Sequence, residues 1–237
     1  MKSLKNILFL DIETISAEGS YDAIPERLKP LWDSKAKYIV PPEVPSNQAY
    51  FDKAAIYAEF GKIIVIGIGF FFQGENEGLS FKVKAIYGKD ELALLLELKE
   101  LLQTKFNGPS FRLCAHNGKE FDYPYICRRM IIHDIELPHI LKISDKKPWD
   151  VPHLDTLDMW KFGDKKSYTS LELLAAVLGV PTSKDGIDGS KVNQVYYNES
   201  GLERIADYCK KDVIVTAQIY LRLTGNKIME DQNIIVL

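Results

Sequence analysis

Apolar and polar positions along this chain repeat with two periods, near two and near 3.6, and the switches between them mark its elements. Residues 5–11, around the apolar run 7–10, read as a buried strand ending at Asp11. Residues 62–72 are apolar on both faces, as a central strand is, and 79–87 alternate with period two. GENEG (74–78) supplies a turn between them, so the first three strands predict an antiparallel meander. DELALLLELKELLQ (90–103) spaces its apolar residues as a helix does, with Asp90 as N-cap. SFRLCAHN (110–117) is strand-like, DYPYICRRMII (122–132) is helical with Pro124 near its start, and HLDTLDMW (153–160) is short and strand-like.

Thr169 and Glu172 predict a capping box for a helix that Gly179 and Pro181 end. Ser200 and Glu203 predict a second box, opening a long helix that runs to about Thr224 and stops at Gly225-Asn226. KDGIDGSK (184–191) reads as a loop. Between the first two strands, 17–60 holds helix-like stretches at 21–35 and 47–59 around the Pro-rich PPEVP (41–45). That stretch has no linker composition and reads as a helical insertion. The tail at 227–237 ends in the apolar NIIVL, suited to docking on a sheet edge or a neighbour. The order predicts an α/β fold, a central mixed β-sheet flanked by α-helices, in a single domain over 1–237.

Composition narrows the function classes. Of 237 residues, 46% are apolar and 27% charged, which is ordinary globular usage. The net charge of −3 argues against a protein that holds long duplexes by their phosphates. The basic pairs Arg128-Arg129, Lys146-Lys147, Lys165-Lys166 and Lys210-Lys211 read as solvated surface pairs. Three cysteines cannot all pair, and neither they nor the four histidines have metal-site spacing. This usage suggests a reduced, cytoplasmic protein. The longest apolar run, 63–72, is about half of what a membrane helix needs, so no membrane association is expected. Gly67 and Gly69 lack the third glycine of a dinucleotide loop.

Candidate chemistry lies in the acids. Asp11 and Glu13 sit at i and i+2 of the first strand and so point the same way, at its predicted C-terminal end. Two adjacent carboxylates repel unless a proton or a cation lies between them. Taken alone, the pair reads as readily as a solvated strand end. The long helix adds Tyr208 and Asp212, which share a face at i and i+4. Its apolar positions Ile205, Val213, Val215 and Ile219 imply packing on the sheet. Asp212 could equally pair with Lys210 or Lys211, and Tyr208 could sit at a core edge. Asp122, before Pro124, suits an ordinary helix N-cap, a role compatible with facing a site. Oxygen-only ligands suit hard cations such as Mg²⁺ or Mn²⁺, and two such ions can clamp a phosphodiester between them.

These motifs resemble the DEDD superfamily of 3′–5′ exonucleases, whose fold is ribonuclease H-like. FLDIET (9–14) is similar to the first motif, HNGKEFDYPYICRR (116–129) to the second and YCKKD (208–212) to the third. The Tyr-x3-Asp form indicates the DEDDy subgroup, which includes polymerase proofreading domains and ribonuclease D. The N-x3-FD-x-PYI form of the second motif is closest to the proofreading domain of family B DNA polymerases. EFGKIIVIGIG (59–69), HLDTLDMW (153–160), SLELLAAVLGVP (170–181) and GIDGSKV (186–192) resemble a free-standing bacterial family of predicted exonucleases related to that domain. The resemblance covers roughly 5–225, and with only twelve residues after Gly225 no polymerase module is expected in this chain.

The resemblance implies a metal-dependent enzyme acting on the 3′ end of single-stranded nucleic acid, with DNA favoured over RNA. Asp11 would bridge two ions, Glu13 and Asp212 would complete the site of the water-activating ion, and Asp122 would hold the second. Tyr208 would orient the attacking water, since a phenol of pKa about 10 is a poor base at neutral pH. Asn117, Phe121 and Thr14 match positions near the substrate, although Phe121 also reads as core packing. His116 stands where the polymerase domains often have tyrosine, and 17–60 has no clear counterpart there. The alternatives are an exoribonuclease on the same site and a catalytically silent nucleic-acid-binding module.

Overall fold

The structure, a computed structural model, describes residues 4–74, 78–147, 149–164, 168–182 and 188–237. The middle of the GENEG turn, the Lys165-Lys166 pair and the first part of the 184–191 loop lie outside these residues. Strands β1 (Ile7–Ser16), β2 (Gly61–Gln73) and β3 (Leu79–Tyr87) form the antiparallel meander that the pattern predicts. β4 (Arg112–Ala115) runs parallel beside β1, and β5 (Leu154–Asp155) parallel beside β4. The apolar tail docks as β6 (Ile234–Val236), parallel to β3. The sheet order is β5-β4-β1-β2-β3-β6.

The helices are α1 (Lys29–Ile39), α2 (Ser46–Lys53), α3 (Glu91–Thr104), α4 (Asp122–Ile132), α5 (Thr156–Lys161), α6 (Leu171–Leu178), α7 (Val192–Glu199) and α8 (Leu202–Leu223). The period of two on β1 decides which helices it meets. Leu8, Leu10 and Ile12 share a buried cluster with Leu95 and Leu98 of α3 and Ile126 of α4. Ile7 and Phe9 point the other way, into a cluster with Val213, Ala217 and Leu221 of α8. Asp11 and Glu13, at the same parity as Phe9, therefore face α8.

Several expectations are corrected. β1 does not end at Asp11. Ile12 and Ile15 stay buried and β2 keeps pairing with it as far as Ser16. HLDTLDMW is a strand for two residues only, because the Asp155 carboxylate accepts the N–H of Leu157 at 2.9 Å and turns the chain into α5. α6 is capped by Ser170, whose hydroxyl accepts the N–H of Leu173 at 3.2 Å, so Thr169 makes no capping box. The second box fails too. Ser200 adopts a left-handed φ of 52° to close α7, and Gly201 is the N-cap of α8.

The insertion opens with 3₁₀ turns at Tyr21–Ala23 and Glu26–Leu28 instead of a continuous helix, as Pro25 and Pro30 dictate, and ends in a third at Ala54–Ile56. Trp32, Tyr50 and Phe60 give it a small aromatic core, with ring centroids 5.3 and 5.1 Å from Trp32. The Arg128-Arg129 pair splits. Arg128 is exposed, but Arg129 is buried against Glu91, its Nε 2.9 Å from Oε1 and its Nη2 2.5 Å from Oε2. Glu91 Oε1 also accepts the N–H of Ile63 at 2.7 Å, and its Oε2 lies 2.7 Å from His133 Nε2. Among the described residues no helix is long and apolar enough to cross a membrane.

Candidate active site

The site begins with strands of unequal length. The ladder between β1 and β4 stops at Phe9 and Cys114, while β2 flanks β1 down to Ser16. Beyond Phe9 one edge of β1 is therefore open. The N–H of Ile12 on that edge donates to Asp122 Oδ1 at 3.0 Å. Asp122 is the first residue of α4, with Phe121 as N-cap, so it occupies the helix start without being the cap. Three residues past the last ladder pair, a carboxylate takes the backbone N–H in place of a strand.

From the other face α8 brings Tyr208, Cys209 and Asp212. The Cys209 thiol lies 3.2 Å from Asp11 Oδ2 and 3.4 Å from the Asp11 carbonyl. Gly67 on β2 permits this approach, because a Cβ there would stand 2.8 Å from the sulfur. One ligand atom each from Asp11, Glu13 and Cys209 lie within 4.8 Å of one another. The sequence reading foresaw an oxygen-only set and missed the thiol, which sits one residue beyond Tyr208 in a motif read for its oxygens.

The acids share one cavity of about 530 Å³ that Asp11, Glu13, Asp122, Tyr208 and Asp212 all line. Their electrostatics follow from crowding in a poorly hydrated place. Burial raises the Asp11 carboxyl well above its usual range, and the charges of Glu13, Asp122 and Asp212 raise it further, against the hydrogen bond from Cys209. Burial, then Asp212 and Asp122, do the same to Glu13. Asp122 is pushed up to about 7 by burial, with the Ile12 N–H pulling the other way. Asp212 is pushed up to about 6 by burial, opposed by its hydrogen bond with Tyr208. Burial and the Asp212 charge raise the Tyr208 phenol, so it stays protonated, and its hydrogen bond with Asp212 engages that proton. Crowded like charges on oxygen donors fit divalent cations, whose charge would replace the missing protons.

Asn117, Phe121 and Thr14 also line the cavity. Asn117 is left-handed, at φ 62°, and its N–H donates to Asp155 Oδ1 at 2.9 Å. Asp155 Oδ2 accepts the N–H of Lys119 at 3.0 Å, so one carboxylate that the sequence reading passed over shapes both the 116–119 loop and the start of α5. Phe121 packs on the core and on the Tyr125 ring at 5.3 Å and also lines the cavity. His116 bridges the Thr156 hydroxyl and the Thr169 carbonyl, each at 2.9 Å, and burial lowers its pKa. Neutral and doubly bonded, it supports the loop. Glu172, freed from the predicted capping box, lines the cavity and helps raise Asp212.

Residues 58–232 match the family described as predicted 3′–5′ exonucleases related to the exonuclease domain of PolB. The match contains Asp122, Tyr208 and Asp212, and it begins after β1. No curated protein matches. Among solved structures, the family B DNA polymerase from the hyperthermophilic archaeon Pyrobaculum calidifontis is similar at TM-score 0.50 and 13% identity. That likeness covers 92% of this chain and 24% of the polymerase, and it is a likeness of fold. The six-stranded mixed sheet with flanking helices is thus an α/β fold similar to the ribonuclease H-like exonuclease domain of such polymerases. By its family match, the chain belongs to the predicted 3′–5′ exonucleases related to the exonuclease domain of PolB.

Proposed function

We propose that this chain is a single exonuclease domain that hydrolyses single-stranded DNA from its 3′ end with two Mg²⁺ or Mn²⁺ ions, releasing nucleoside 5′-monophosphates. One observation carries the reading: four carboxylates and a tyrosine from β1, α4 and α8 converge on one cavity. Asp11, Glu13 and Asp212 would hold one ion and Asp11 and Asp122 the other. Bound ions of this kind activate a water and neutralise charge on the phosphodiester oxygens. Tyr208, held protonated with its O–H given to Asp212, orients the attacking water by accepting a hydrogen bond from it on the phenol oxygen. Asn117, Phe121 and Thr14 face the terminal nucleotide. The family's relation to the PolB exonuclease domain favours DNA.

The test is incubation of the purified protein with 5′-labelled single-stranded DNA and RNA of equal length, with Mn²⁺ or with EDTA. A metal-dependent ladder shortening from the 3′ end of DNA is expected. A ladder on RNA alone would move the substrate to the other sugar. Full activity in Asp11→Ala or Asp212→Ala would overturn the mechanism.

A further inference from the structure

The insertion lends the cavity a rim that the chemistry above leaves unused. Ile56, the last residue of the Ala54–Ile56 turn, lines the same cavity as the acids and keeps 53% of its surface exposed. A single apolar residue on an open surface needs no account. This one is mounted. The Tyr125 hydroxyl of α4 donates to the Ala55 carbonyl at 2.8 Å, and Arg129 Nη1 of α4 donates to the Ala58 carbonyl at 2.8 Å. Asn193 Nδ2 of α7 holds the Phe51 carbonyl at 2.7 Å. Gly61 leaves the space this needs, since a Cβ there would stand 2.3 Å from the Tyr125 hydroxyl and 2.8 Å from the Ala55 carbonyl. The helix that begins at Asp122 therefore also fixes the rim.

The cavity is lined by acids and also by apolar side chains, among them Ile12, Ile56, Phe121 and Leu171. A nucleotide divides the same way, into an anionic phosphate and a base with uncharged faces. Resting on the exonuclease reading, we propose that Ile56 is a substrate-binding residue whose side chain packs on the base of the 3′-terminal nucleotide, making the insertion part of the substrate site. An aliphatic side chain offers no hydrogen bonds, so it grips any base, as an enzyme that removes successive nucleotides requires.

The experiment measures equilibrium binding of 5′-fluorescent single-stranded DNA by anisotropy, with Ca²⁺ in place of Mg²⁺ to slow hydrolysis. Two oligonucleotides of equal length are compared, one ending in an ordinary nucleotide and one in an abasic residue. The wild type is expected to prefer the ordinary end by roughly 5- to 10-fold, the scale of one apolar side chain's contact. Ile56→Ala should lose most of this preference, and Ile56→Leu should restore it. A wild type indifferent to the terminal base, or an Ile56→Ala protein that keeps the preference, would overturn the proposal. If the preference depends on Ile56 but no metal-dependent cleavage occurs, the nuclease reading fails and the base contact stands.

Discussion

Asp122 Oδ1 accepts the backbone N–H of Ile12 at 3.0 Å, one residue from each of the strand acids. The bond fixes the second-motif carboxylate to the strand that carries the first motif. Glu91 repeats the device across the sheet, taking the N–H of Ile63 below the point where β3 stops pairing with β2 at Val65. Each acid opens a helix and fills a place that a short strand leaves vacant.

Asp122→Asn keeps an acceptor for Ile12 and loses the charge. It should fold with a metal-free Tm at or above that of the wild type, and lose roughly 100-fold or more in nucleotide release. Asp122→Ala should lose activity as well and be destabilised by about 1–3 kcal/mol, because the Ile12 N–H is left buried without a partner. Urea melts in EDTA separate the two variants, and equal stabilities would count against the bond.

Stability without metal should fall as pH rises. Asp122 and Asp212 titrate near about 7 and about 6 in the folded chain, and Asp11 and Glu13 are raised too, all chiefly by burial. Between the ordinary carboxylate range near 4 and these values the native state holds more protons than the unfolded one, so ΔG of unfolding has a negative slope with pH. Tm in EDTA is expected to decline from pH 5 to about pH 7.5, with Mn²⁺ restoring it most at the upper end. A Tm that climbs across this interval in EDTA contradicts the crowded-acid picture.

Tyr208→Phe removes a donor and no charge. Between about tenfold and a hundredfold loss of kcat is expected, with the Mn²⁺-induced thermal shift close to that of the wild type. An unchanged kcat would remove Tyr208 from the reacting water.

Arg129→Met strands Glu91 beneath the sheet with part of its pairing gone. Loss of one partner from a buried ion pair costs about 3–5 kcal/mol. Denaturant unfolding should show a loss on that scale, and because Arg129 also holds Ala58, rim-dependent affinity for DNA should weaken beyond it. A loss under about 1 kcal/mol would mean that solvent reaches the pair.

The period-two and helical patterns located β1–β3, α3, α4 and α8, because each carries an apolar face with the period of its own element into the buried clusters. The same parity argument put Asp11 and Glu13 on one face of the strand, and the structure shows that this face meets α8. Its error was to end the strand at the first acid. The polar switch at Asp11 marks where β4 stops, and a neighbour's length is not written in the strand beside it. Ser200 fits an N-cap by composition, but α7 claims it first as a left-handed terminus. The Cys209 thiol beside Asp11 and the Glu91–Arg129 pair join residues 198 and 38 positions apart, contacts no local period encodes.

The insertion leaves β1 and enters β2 at adjacent points, since Ser16 pairs with Gly61 and the Ala17 N–H bonds the Phe60 carbonyl at 2.8 Å. The sheet closes this loop whatever lies between its ends, and loop-closure cost grows only slowly with length. Residues could be added to the exposed stretch of the insertion at 41–43 without disturbing the acids on β1. The fold thus separates what must stay fixed, the spacing of carboxylates, from what can be remodelled, the shape of the mouth through which a strand end reaches them.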